Sequence, residues 1–168
     1  GMALRGVERD ADGTALVVGE RGIALRYDPA DDSVGMERLG SSRDLNDLHI
    51  SPAGVALAIG ERGTLLRREG PDSGWVTDRT PDARALQSGW IGDDGRGYAV
   101  GRNGIVMERV PDGEWTLAST ESERHLRAIL VTGTEALALG SDRFVIRFSA
   151  PSARHWFGTD HLGRDLFD

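Results

Sequence analysis

The sequence predicts an all-β fold, β-propeller-like, made of four tandem blades of about 40 residues, each a four-stranded antiparallel sheet. Three observations predict it. One apolar pattern recurs four times along the chain, glycines stand in common register at 19, 60, 101 and 140, and turn-forming dipeptides separate short apolar runs of strand length.

The recurrence is plain in the residues. Ala15-Leu16-Val17-Val18-Gly19-Glu20-Arg21-Gly22 is matched by Ala56-Leu57-Ala58-Ile59-Gly60-Glu61-Arg62-Gly63 and by Gly97-Tyr98-Ala99-Val100-Gly101-Arg102-Asn103-Gly104. A looser copy is Ala136-Leu137-Ala138-Leu139-Gly140, and the four register glycines are 41, 41 and 39 residues apart. Leu4, Leu45, Leu86 and Leu126 open the first strand of each unit. Asp12-Gly13, Ala53-Gly54, Asp94-Gly95 and Gly133-Thr134 then reverse it, since glycine supplies the positive φ of a tight hairpin. The second strand runs into the G-x-x-G turn and the third leaves it. A fourth strand is marked by Trp75, Trp115 and Trp156, with Met36 expected at the corresponding place in the first unit.

These marks divide residues 3–157 into repeats at 3–43, 44–84, 85–124 and 125–157, followed by a terminal segment, 158–168. One sheet of this size cannot bury both its faces, so the units must stack and share apolar layers. Three closures are open: the four blades closing on themselves, the chain forming part of a larger ring, or two chains completing one ring as a homodimer. A compact four-blade arrangement is the expectation.

Composition sets the limits. At 168 residues, 39% apolar and 28% charged, the chain supports one domain with a proper core. A formal charge of −7 argues against nucleic acid as a partner. All 20 basic residues are Arg, which removes lysine-based chemistry, and the lack of Cys removes disulfides and thiolate metal sites. No apolar run reaches the length of a membrane span, and the first residues lack the basic and apolar regions of a signal peptide. Gly1 ahead of Met2 is what tag removal leaves, and it points to an excised piece of something longer.

Candidate functional residues are few. The paired glycines precede strands in a chain without Lys, so they are hairpin turns and not phosphate cradles. Arg26, Arg67, Glu108 and Arg147 each stand seven residues after a register glycine. They would form either a charged ring at one end of the channel or, more simply, the solvent face of the third strands. Trp90 departs from the repeat and is either packing or an aromatic surface for a partner; packing is the simpler account. The four His have no metal-ligand spacing, although His155, Asp160, His161 and Asp165 gather near the end of the chain. No catalytic residue, cofactor or metal is expected.

Two resemblances add to this. Val100-Gly101-Arg102-Asn103-Gly104 with Asp112-Gly113-Glu114-Trp115 resembles the Trp-bearing repeats of sialidase-like and photosystem II assembly factor propellers, which implies architecture only. The run from His155 to Asp165 resembles the H-x-x-G-T-D-x-L-G-R-D signature of the permeases of dipeptide, oligopeptide and nickel ABC importers, with Gly158, Thr159, Asp160, Leu162, Gly163, Arg164 and Asp165 matching. That resemblance implies a non-catalytic domain on the extracytoplasmic (periplasmic) face of the bacterial inner membrane. It would be inserted between the first two helices of a membrane-embedded permease and dock transporter subunits or a substrate-binding protein. A free-standing assembly scaffold and a glycan-binding or glycoside-hydrolase-like propeller are the alternatives.

Overall fold

The computed structural model describes residues 1–118, 123–133, 135–141 and 145–149. Blade 1 holds β1 (Leu4–Arg9), β2 (Ala15–Gly19), β3 (Ala24–Asp28) and β4 (Ser33–Met36); blade 2 holds β5 (Leu45–Ile50), β6 (Ala56–Gly60), β7 (Leu65–Arg68) and β8 (Val76–Thr77). Blade 3 holds β9 (Leu86–Ile91), β10 (Gly97–Gly101), β11 (Val106–Arg109) and β12 (Trp115–Ala118), and blade 4 holds β13 (Leu126–Thr132), β14 (Glu135–Gly140) and β15 (Val145–Ser149). Every sheet is antiparallel with strands in chain order. The fourth strand expected around Trp156 lies outside the described residues, as do Gly158, Thr159, Asp160, Leu162, Gly163, Arg164 and Asp165.

The first strand of each blade is the innermost, because β1 packs on β5, β5 on β9 and β9 on β13. Burial follows the two-residue period of a strand: alternate side chains face the preceding and the following blade. The result is three cores, one at each junction. Leu16 and Val18 of blade 1 meet Leu45, Leu48 and Leu66 of blade 2. Leu57, Ile59 and Leu65 of blade 2 meet Leu86, Ile91 and Met107 of blade 3, and Tyr98, Val100 and Val106 of blade 3 meet Leu126, Ala136 and Ala138 of blade 4.

The G-x-x-G turns hold the blades in line. In blade 2, Gly60 is extended, and a Cβ there would collide with the carbonyl of Asp44, in the linker that leads into β5. Gly63 has φ +67, and a Cβ on it would collide with the carbonyl of Asp82 in the next linker. The linker is fastened by a backbone bond, Glu61 N–H donating to Asp44 O at 3.0 Å, repeated as Glu20 to Ala3 and Arg102 to Ala85. The four hairpin glycines, Gly13, Gly54, Gly95 and Gly133, all have positive φ.

Two expectations are corrected. Strand register pairs Arg109 with Trp115 and Tyr27 with Val34, so Val34, not Met36, stands where the later blades carry Trp. Within the single chain Val34 has no preceding blade to pack against and is exposed. Among the described residues the four blades also do not close on themselves: Leu4, Val7, Val34 and Met36 on the face of blade 1 that would meet a preceding blade, and Leu130 and Leu139 on the face of blade 4 that would meet a following one, are exposed.

Candidate functional site

The inner strands present an unpaired edge to the axis, and side chains of the preceding blade cover it. Asp47 Oδ2 accepts from Ser88 Oγ at 2.9 Å and from Gly89 N–H at 3.0 Å; His49 Nδ1 accepts from Ile91 N–H at 3.2 Å. One blade on, Ser88 Oγ accepts from Ile129 N–H at 3.4 Å. Asn46 Nδ2 donates to the Leu86 carbonyl at 2.8 Å. Asp47 and Ser88 are register equivalents, so the axial wall is a repeated device that satisfies backbone groups which would otherwise be stranded.

Electrostatics at this wall match the geometry. Burial, then the nearby Asp47 charge, raises the Glu8 carboxyl above its ordinary value, while burial lowers His49 despite Asp47. His49 is therefore neutral at pH 7, and its one acceptor nitrogen is occupied by Ile91. It has no free lone pair with which to act as a general base.

Trp90 sits beside this wall, half-buried. Its ring lies 5.8 Å from His49 and 6.2 Å from Tyr98, with the Arg96 guanidinium 5.7 Å above it. It packs into the core between blades 3 and 4.

Arg26, Arg67, Glu108 and Arg147 lie on third strands, away from the axis, so they form no ring around the channel. Arg26 pairs with Asp10 at 3.1 Å and with Glu37 at 3.1 Å; Arg67 pairs with Asp78 at 2.9 Å and with Glu69. Glu108 is not on a solvent face either: it is 2% exposed, neither carboxylate oxygen has a hydrogen-bond partner, and burial pushes it up to about 8. Arg147 is exposed.

Sequence reasoning missed the polar ties across the junctions. Arg68 Nη2 donates to both oxygens of Asp10 at 2.8 and 2.9 Å, a fully buried pair joining blades 2 and 1. Trp75 Nε1 donates to Glu37 at 3.3 Å and Trp115 Nε1 to Asp78 at 2.8 Å. The signal was present, since Glu37 and Asp78 are 41 residues apart like the glycines. A groove of about 310 Å³ lies between the linker at 40–43 and β7 and β8, but its carboxylate, Asp78, is already held by Arg67 and Trp115. Among the described residues no three potential ligands gather for a metal, and the terminal His155, Asp160, His161 and Asp165 lie outside them.

No family model and no curated protein matches the chain. Among solved structures it is similar to the RRP9 WD40 repeats, with TM-score 0.76 and 12% identity over 89% of this chain and 49% of that one. It is also similar to a catalytically inactive H270A virginiamycin B lyase from Staphylococcus aureus with quinupristin, with TM-score 0.69 and 13% identity over 88% of this chain and 55% of that one. A streptogramin B lyase gives 0.67 and 11% over 90% and 56%. The chain thus spans about half the length of these structures. At such identities the likeness defines the fold: a β-propeller-like array of blades.

Proposed function

We propose that this chain is a non-catalytic, protein-docking propeller segment of an ABC-importer permease, placed on the extracytoplasmic side between its first two membrane helices. The observation that carries the reading is the match of Gly158, Thr159, Asp160, Leu162, Gly163, Arg164 and Asp165 to the permease signature. The axial wall supports the non-catalytic part: Asp47, Ser88 and His49 are engaged in covering the next blade's backbone, which leaves them architectural. Among the described residues no helix is long and apolar enough to cross a membrane, so the spanning helices would belong to flanking sequence. The partner is a transporter subunit or the substrate-binding protein of the same importer, and exposed blade loops offer the contact surface.

The test has two parts. The flanking residues of the encoded polypeptide are expected to form an apolar helix on each side of this segment; polar sequence on both sides would overturn the reading in favour of a free-standing scaffold. The purified chain is then titrated calorimetrically with the importer's substrate-binding protein. Saturable heat is expected, whereas binding only to an oligosaccharide panel would transfer the chain to the glycan-binding class.

A further inference from the structure

We infer that two copies of this chain close one ring, blade 1 of each copy seated on blade 4 of the other. The inference stands apart from the permease reading, because it rests on the two end faces alone.

Blade 1 presents Leu4, Val7, Val34 and Met36 to solvent at 52%, 65%, 64% and 78% exposure. By register, Leu4 is the counterpart of Leu45 and Leu86, Val7 of Leu48, and Val34 of Trp75 and Trp115. Those counterparts are packed against the preceding blade. At the other end, Leu130 and Leu139 are 56% and 42% exposed. They are the counterparts of Trp90 and Val100, which face blade 4 from blade 3. Each end is thus one half of a junction that the chain builds three times internally, and each lacks its other half.

A second copy supplies both halves, and the polar positions agree. Arg9, exposed on the end face of blade 1, is the counterpart of Ile91, while Glu135, exposed on blade 4, is the counterpart of Val55. Ile91 and Val55 share one core, so the seating brings Arg9 of one copy to Glu135 of the other. Where blade 2 sends Arg68 to Asp10, blade 1 carries Tyr27 and blade 4 carries Thr132, so no charge is buried there without a partner. A two-fold axis makes the two junctions identical and leaves no face open, which is the condition for a closed dimer instead of a filament. Comparison agrees in scale, since the chain covers 49% to 56% of the propeller structures it resembles.

Sedimentation equilibrium on the 168-residue chain tests this. The expected mass is twice the 18.1 kDa of one chain throughout the micromolar range. Arg9→Glu and Glu135→Arg are each expected to weaken dimerisation at least about tenfold, and the double variant to restore it, since the two charges exchange places across the junction. Both residues are exposed, so the variants keep the fold, which circular dichroism verifies. A wild-type chain that stays monomeric, or polymerises without limit, overturns the inference. So does a dimer that neither single variant weakens or that the double variant fails to restore.

Discussion

Glu108 is the residue most out of keeping with its surroundings. Its register equivalents Arg26 and Arg67 are held by carboxylates, yet its own carboxyl is buried beside the apolar layer between blades 3 and 4 without a hydrogen-bond partner. Desolvation raises it from an ordinary 4.5 to about 8. Between those values the folded chain holds a proton that the unfolded chain has lost, so stability falls as pH rises through that window and is unaffected below it. Glu108→Gln removes the titration. Urea midpoints at about pH 5 and about pH 8 are expected to show the variant gaining roughly 2–4 kcal/mol on wild type over the interval. Equal slopes for the two proteins would mean that Glu108 stays solvated.

At the scale of the element, the G-x-x-G turn does most to set the blades in sequence. Gly63 combines a left-handed φ with a backbone carbonyl where its Cβ would be, and Gly60 meets the same obstacle on the other side of the turn. Gly63→Ala is expected to lower stability by about 1–3 kcal/mol, measured by thermal or urea unfolding. Ala at Gly35, where a Cβ meets only open space, is the control and should change little.

This element was also the most legible in the sequence, because a glycine required by backbone geometry recurs as the same letter: both glycines stand in the first three copies, and the fourth keeps Gly140 but has Arg143 in the second place. The hairpins at Gly13, Gly54, Gly95 and Gly133 were legible for the same reason. Side-chain partnerships were less so. Val34 is harder to read: it follows Gly19 by 15 residues as Trp75 follows Gly60, but an aliphatic residue does not mark the position as an aromatic does, and strand register is what identifies it. The buried Arg68–Asp10 pair was hidden because the two residues are 58 apart and belong to different repeats. Glu108 looked like a surface charge, since a third strand offers no sign in its own residues of which face its neighbour will cover.

For the whole molecule, the absence of a common centre matters more than the number of blades. Each core is shared by two blades only, so blades 2 and 3 are held on both sides and blades 1 and 4 on one. Stability in such an array is a sum of nearest-neighbour terms, and disruption travels one junction at a time. Amide hydrogen exchange reports this directly. In an isolated arc, β2 and β14 should exchange through local opening much faster than β6 and β10, and the contrast should level out when the chain is concentrated enough to pair. The exposed leucines and valines of the end blades would then govern how long the outermost amides keep their protons.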